Sequence, residues 1–196
     1  MREAARRSWG ENHADALRLA EMLWHIHGCP VPVIARVQGD CYAGAMGLVA
    51  ASDIAVAADD ARFCVSEVKL GLLPATISPY LIRAIGERQA RRWFLTAERF
   101  GAAQAQAVGL VHEVCAPGDL DARVDALLAA LCANAPLAVR RAKQLIAEVS
   151  PAALTPELRE QTAQVIADVR SGLEAQAGLA SFLDKKRPPW QEPPQG

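Results

Sequence analysis

The sequence has no excess of charge of either sign, and this excludes several classes of partner. Its 196 residues include 21 Lys and Arg against 22 Asp and Glu, for a formal net charge of −1. Nucleic acids and anionic membrane surfaces are bound through a strongly positive face, which this composition does not provide. No apolar run approaches the roughly 20 residues that a membrane-spanning helix needs. We therefore expect neither a nucleic acid nor a membrane among its partners.

Aromatic residues and closely spaced cysteines are also scarce. Aromatics make up 5% of the chain although hydrophobic residues make up 52%, with Ala supplying much of that fraction. This composition is typical of a globular protein with closely packed helices. No C-x-x-C pair occurs among the five cysteines, which are Cys29, Cys41, Cys64, Cys115 and Cys132. We interpret them as reduced thiols of a cytoplasmic protein.

Several motifs that identify enzymes directly are missing. The chain has no G-x-G-x-x-G dinucleotide fingerprint, no P-loop and no G-x-S-x-G nucleophile elbow. The series His25, His27 and Cys29 resembles a metal-binding pattern. Helical residues two positions apart point to different faces, however, so these side chains do not converge on one ion. We expect no metal site.

The pattern of apolar residues predicts a mixed α/β fold. The capping box formed by Ser8 and Glu11 marks the start of the first helix, and Gly86 and Gly109 end later ones. Strands are predicted at about 33–37, 53–57, 62–65 and 111–114. Helices are predicted at about 9–26, 46–51, 78–85, 87–95, 102–108, 120–132, 137–149 and 156–182. We expect an α/β core over residues 1–115 and a helical region over residues 116–196.

Two short segments could carry chemistry. The first is a turn of small residues at 39–47, between a strand and a predicted helix start, where a ligand can approach backbone N–H groups. The second contains Glu67, which follows a strand inside a mainly apolar stretch. Glu67 is either a solvent-facing partner of Lys69 or Arg62, or a general acid/base whose pKa is raised by an apolar pocket.

The order of these motifs resembles the enoyl-CoA hydratase/isomerase (crotonase) superfamily. The similar segments include Pro-Val-Ile-Ala-Arg-Val-Gln-Gly at 32–39, Ala-Ser-Asp-Ile-Ala-Val-Ala at 51–57 and Leu-Gly-Leu-Leu-Pro at 70–74. The resemblance continues at 61–63, 66–67, 94–96, 107–111, 135–136 with Lys143, and 182–188. The segment 74–80 resembles the branch that includes methylglutaconyl-CoA hydratases. The resemblance implies a spiral core of ββα units and a C-terminal helical region that forms trimers or dimers of trimers.

The resemblance also implies the site. Gly44 matches the residue whose backbone N–H holds the thioester oxygen, and Glu67 matches the carboxylate that moves a proton. The expected substrate-binding residues around them are Tyr42, Ala43, Gly47, Ser66, Leu70, Pro74 and Ala75. The substrate is an acyl-CoA thioester, and no metal or redox cofactor is expected. The cations Lys185, Lys186 and Arg187 either bind a CoA phosphate or are simply a solvated helix end.

The chain departs from the family pattern in three ways. Ala43 and Ala45 flank Gly44 where the family often has a run of glycines. Gly47 stands where classical hydratases have a second glutamate, although the methylglutaconyl-type branch tends to have Gly there as well. Family members also have an earlier ββα portion that supplies another oxyanion N–H, and we expect Met1 to fall just beyond it. The chain would then be either a late-start fragment or a degenerate member.

The sequence therefore predicts an enoyl-CoA hydratase-like lyase acting on an unsaturated acyl-CoA that is branched or methylglutaconyl-like. A double-bond isomerase of the same family is the nearest alternative, because one carboxylate is enough to shuttle a proton. A non-catalytic acyl-CoA-binding protein of the same fold is the alternative from another class.

Overall fold

The computed structural model describes residues 7–191, which form two compact units. The first unit comprises the residues up to Cys29 together with Val33–Val124, and the second comprises Pro30–Pro32 and the residues from Asp125 onward. The helices are α1 (Trp9–His27), α2 (Gly44–Ala51), α3 (Ser78–Thr96), α4 (Ala102–Ala107), α5 (Leu120–Cys132), α6 (Pro136–Val149), α7 (Pro156–Ser171) and α8 (Leu173–Leu183). Within residues 7–191, 3₁₀ turns lie at Glu67–Leu70, Pro117–Asp119 and Pro189–Gln191.

The first unit contains two three-stranded sheets. The strands are β1 (Ile34–Val37), β2 (Asp40–Tyr42), β3 (Ile54–Ala58), β4 (Arg62–Cys64), β5 (Phe100–Gly101) and β6 (Glu113–Cys115). One sheet is parallel with the order β1-β3-β6, and the other has the order β2-β4-β5 with only β5 antiparallel. Because strands β1 to β4 alternate between the two sheets, the chain builds both sheets together over this part of the unit.

The core of the first unit lies between these sheets and helices α1, α2 and α3. Phe100 stacks on Phe63 and on Trp93, with ring centroids 5.6 and 4.1 Å apart. Leu23 of α1 and Met46 of α2 are fully buried beside them. Burial of such side chains contributes about 1.5–3 kcal/mol each, so this cluster anchors α2 rigidly.

Most of the predicted elements are confirmed. Ser8 and Glu11 form the capping box at the start of α1. Gly86, with φ 75° and ψ 156°, breaks α3 where the two helices were predicted to meet. Strands β2 and β5 were not predicted, because each is only two or three residues long and gains its hydrogen bonds from β4 rather than from a local pattern.

The prediction of one continuous helix over residues 156–182 is wrong. The chain is extended at Gly172 (ψ 154°), which separates α7 from α8. Two residues later, the Glu174 carboxylate accepts hydrogen bonds from the N–H groups of Leu137 (3.0 Å) and Ala138 (2.8 Å). The break thus positions Glu174 to cap the N-terminus of α6, which has no side-chain cap from its own N-cap residue.

Two findings concern membranes and metals. Within residues 7–191, no single helix is long and apolar enough to cross a membrane, although the bent pair Pro117–Cys132 and Pro136–Val149 (104°) passes that test jointly by length and composition. The same part of the chain contains no group of three His, Cys, Asp or Glu side chains that could hold a metal ion.

Candidate active site

The two candidate catalytic residues follow neighbouring parallel strands. Tyr42 at the end of β2 is paired with Cys64 at the end of β4, and the Ala43 N–H donates to the Cys64 carbonyl at 3.0 Å. The carboxyl ends of parallel strands meet at one edge of a sheet, where ligands of α/β proteins commonly bind. Gly44 and Glu67, which lie two and three residues beyond this pair, therefore emerge from the same edge.

The turn after β2 directs the chain sharply into helix α2. Ala43 has φ 50° and ψ −123°, an unfavourable conformation for a residue with a side chain. Gly44 begins α2, whose N-terminus has no side-chain cap. The first N–H groups of a helix have no intrahelical acceptor, so this terminus offers donors and a partial positive charge to a developing oxyanion.

Glu67 lies in a short turn with a defined geometry. The 3₁₀ turn Glu67–Leu70 ends at Gly71, which adopts the left-handed conformation (φ 71°) that favours glycine. The Leu72 N–H donates to the Glu67 carbonyl at 3.1 Å and closes the turn. This arrangement fixes the backbone from which the Glu67 side chain extends.

The Glu67 carboxyl group is partly withdrawn from solvent. Its Oε2 atom is buried and has no hydrogen-bond partner within residues 7–191. Burial raises the pKa of Glu67, against a smaller lowering by the backbone N–H groups of Glu67 and Ser66. The Arg62 guanidinium bonds instead to the carbonyls of Asp60 and Ala61. A carboxyl group with a raised pKa is suited to general acid/base catalysis.

Gly47 lies in the buried interior of α2. A Cβ atom added there would meet Ile77 Cγ2 at 2.4 Å and Leu23 Cδ1 at 3.3 Å. The space that a larger side chain at position 47 would need is filled by Ile77. By contrast, a Cβ at Gly44 would meet only Leu19 Cδ2 at 3.9 Å, an ordinary contact. The packing therefore leaves no room for a carboxylate side chain at position 47 beside Glu67.

The other predicted site residues differ in their surroundings. Tyr42, Ala43 and Ser66 are half-buried beside the two strand ends, whereas Pro74 is buried. Leu70 and Ala75 are exposed on the segment that follows Glu67. The cations Lys185, Lys186 and Arg187 belong to the second unit and follow the end of α8. The Lys186 ammonium pairs with the Asp184 carboxylate at 3.3 Å, and Lys185 has φ 56°.

Two residues near the site escaped sequence reasoning. Ile77 fills the space beside Gly47, and the Arg99 guanidinium lies over the Tyr42 ring, 5.5 Å from its centroid. Arg99 is far from Tyr42 in sequence, and only the short pairing of β5 with β4 brings them together. No local signal could have revealed this contact.

The fold and the site together define an α/β protein in which a helix N-terminus and a half-buried carboxyl group follow the same edge of a sheet. Such an arrangement suits proton transfer next to a carbonyl, where fixed N–H donors stabilise the resulting enolate. The chain belongs to the enoyl-CoA hydratase/isomerase family, whose model matches residues 1–193.

Solved structures and curated proteins of known sequence agree with this assignment. An enoyl-CoA hydratase from Shewanella pealeana is 40% identical, with a TM-score of 0.92 over 97% of this chain and 71% of that chain. An enoyl-CoA hydratase from Mycobacterium smegmatis is 32% identical, with a TM-score of 0.88 over 95% and 72%. Enoyl-CoA hydratase ACTT6 of Alternaria alternata is 34% identical over 180 residues, 90% of this chain and 59% of that protein.

The chain is shorter than its relatives. The matched region spans 70% of the first curated relative and between 33% and 64% of the next seven. The family and the α/β fold follow from these matches, whereas the reaction and substrate of this protein are matters of proposal.

Proposed function

We propose that this protein adds water across the double bond of an α,β-unsaturated acyl-CoA thioester. In this mechanism the Glu67 carboxylate takes a proton from water as the oxygen attacks the β carbon. The electrons move to the thioester oxygen and form an enolate, which the Gly44 N–H at the start of α2 stabilises. The protonated Glu67 then delivers its proton to the α carbon, so one carboxyl group acts as base and acid in turn.

One observation carries this proposal: the buried Oε2 atom of Glu67 has no hydrogen-bond partner among the described residues. An unsatisfied buried carboxyl oxygen costs free energy, which a purely structural residue would have no reason to incur. A raised pKa brings the acid and base forms closer in population at neutral pH. Both properties are expected of a residue that exchanges protons in each cycle.

The experiment compares hydration of crotonyl-CoA and 3-methylglutaconyl-CoA by the wild type and by the Glu67→Gln variant. We expect Glu67→Gln to lose most of the activity while still binding the thioesters. Unchanged activity would overturn the mechanism. Thioester binding by a wild type that turns over neither substrate would instead indicate a non-catalytic acyl-CoA-binding protein.

A double-bond isomerase is a second candidate, favoured by the packing around Gly47. Because Ile77 fills that space, no second carboxylate from this position can activate water. An isomerase needs only one base, which takes the α proton of a β,γ-unsaturated thioester and returns it to the γ carbon. Conversion of 3-hexenoyl-CoA to its conjugated isomer, faster than hydration of crotonyl-CoA, would favour this candidate.

The proposal extends to substrate, cofactor and assembly. The resemblance of residues 74–80 to methylglutaconyl-CoA hydratases supports a branched acyl group. The enolate chemistry draws only on protein N–H groups and a carboxyl group, so we propose that no metal or redox cofactor is required and that activity survives dialysis against EDTA.

We also propose that the protein forms a trimer or a dimer of trimers in the cytoplasm. In this proposal Lys185, Lys186 and Arg187 bind a phosphate group of CoA.

A further inference from the structure

Three side chains form a row at the edge of the second sheet nearest the candidate active site. Tyr42 of β2 is paired with Cys64 of β4. On the other side of β4, Phe63 is paired with Phe100, so the preceding residue of the antiparallel segment, Arg99, flanks Cys64. Side chains alternate along a strand, and Phe63 and Phe100 face the core. The row of Tyr42, Cys64 and Arg99 therefore lies on the opposite face of the sheet.

The Arg99 guanidinium contacts an aromatic ring rather than a carboxylate. It lies over the Tyr42 ring, 5.5 Å from the centroid. The acidic neighbour Glu98 is bound by Arg92 instead. Burial raises the pKa of Tyr42, the nearby Asp40 raises it further, and Arg99 lowers it. Within residues 7–191, Arg99 forms no ion pair with any carboxylate.

This arrangement leaves the donors of a positioned cation available. A guanidinium that lies over an aromatic ring keeps the N–H groups that point away from the ring available. These groups match the geometry of a carboxylate and bind it through two parallel hydrogen bonds. Because the ring already restricts the side chain, less conformational entropy is lost when an anion binds.

The residues beside this cation directly precede the two candidate catalytic segments in the chain. Tyr42 directly precedes Ala43 and Gly44 in the chain, and Cys64 lies three residues before Glu67. The row is thus the last one before the two catalytic segments leave the sheet. Arg99 therefore flanks the strand ends that Gly44 and Glu67 follow.

We propose that Arg99, positioned by Tyr42, is a specificity-determining residue that binds a second carboxylate on the acyl group. The preferred substrate is then the CoA monothioester of an unsaturated dicarboxylic acid. This inference rests on the proposed function, because it takes Gly44 and Glu67 as the reacting end of the site. It adds a named residue and a chemical reason for the choice of acyl group.

The test uses two thioesters that differ only by the distal carboxylate, 3-methylglutaconyl-CoA and 3-methylcrotonyl-CoA. Binding of both is measured by calorimetry in the Glu67→Gln background, and turnover is measured in the wild-type background. Arg99→Gln is the test variant. Arg62→Gln is the matched control, since Arg62 is on the same sheet but bonds to the carbonyls of Asp60 and Ala61.

We expect Arg99→Gln to weaken binding of the dicarboxylic thioester by about tenfold to a hundredfold, as for a lost hydrogen bond to a charged group. Binding of 3-methylcrotonyl-CoA is expected to change by less than about twofold under the same principle, and Arg62→Gln is expected to keep the preference. An equal loss of affinity for both thioesters would mean that Arg99 binds the CoA portion, which would overturn the inference. Unchanged affinity for both thioesters would also overturn it. Turnover of both thioesters without preference would overturn the inference and leave the proposed function standing. Tighter binding of the dicarboxylic thioester without turnover of either thioester would support the inference and overturn the proposed function.

Discussion

At the scale of single residues, the site depends on a carboxyl group that the fold does not satisfy. Glu67 has a buried oxygen without a partner in the described part of the chain, and its pKa is raised by burial. Gly44 and Gly47 are only three residues apart in α2, yet a side chain at Gly44 would make one ordinary contact with Leu19, whereas one at Gly47 would collide with Ile77. The family resemblance identified these two positions, but only the packing shows which of them can accept a side chain.

The raised pKa of Glu67 predicts a pH dependence. The base form is needed to take a proton from water, and burial favours the protonated form, so kcat/KM should fall as pH decreases through the folded-state pKa. We expect this acid limb to lie above the ordinary Glu value of about 4.3. Because protonation is favoured in the folded state, Glu67 also contributes most to stability at low pH, and that contribution is lost as pH rises through the folded-state pKa. A kcat/KM profile with its acid limb at or below the ordinary value would contradict this account.

The two glycines of α2 predict different changes in stability on substitution by alanine. Gly47→Ala places a methyl group 2.4 Å from Ile77 Cγ2 and should lower the free energy of unfolding by about 1–3 kcal/mol. Gly44→Ala is the matched control, since its new methyl group meets only Leu19 at 3.9 Å and should leave stability nearly unchanged. Urea unfolding of both variants measures the difference. Equal stabilities would show that the packing around Gly47 is looser than described.

At the scale of secondary structure, sequence patterns predicted what depends on local chemistry. The capping box at Ser8 and the break at Gly86 are examples, since both are determined by residues next to each other. Strands β2 and β5 and the break at Gly172 depend on distant partners, and they were missed. The same limit applies to the site: Glu67 and Gly44 follow recognisable motifs, whereas Ile77 and Arg99 act through contacts between remote segments.

The capping of α6 by Glu174 can be tested directly. Glu174→Ala removes the acceptor for the N–H groups of Leu137 and Ala138 and should cost about 1 kcal/mol. Glu160→Ala is a suitable control, because Glu160 is an exposed residue of α7. Thermal unfolding should separate the two variants by several degrees. Identical melting temperatures would mean that Glu174 does not contribute to the stability of α6.

At the scale of the whole molecule, the two units bury their residues very differently. The described core lies entirely between Leu23 and Leu120, in the first unit. Helices α6, α7 and α8 contain no fully buried residue, and they expose large apolar side chains such as Leu173 (92%) and Phe182 (79%). Exposed apolar surface of this kind commonly marks a contact between protein chains.

This exposed surface predicts an oligomer. We expect sedimentation equilibrium to give a mass of three or six copies of the chain. Phe182→Asp should shift the equilibrium toward smaller species, because it places a charge in an apolar contact. Lys186→Asp is the control for added negative charge nearby. A monomer at all concentrations would contradict the proposed assembly.

The central claim is that Glu67 transfers the proton in the reaction of this protein. The most direct test is the turnover of an unsaturated acyl-CoA thioester by the wild type and by Glu67→Gln at equal thioester occupancy. General acid/base catalysis contributes about a hundredfold to ten-thousandfold in rate, so we predict a loss of kcat in that range with little change in binding. Equal kcat values for the two proteins would contradict the account.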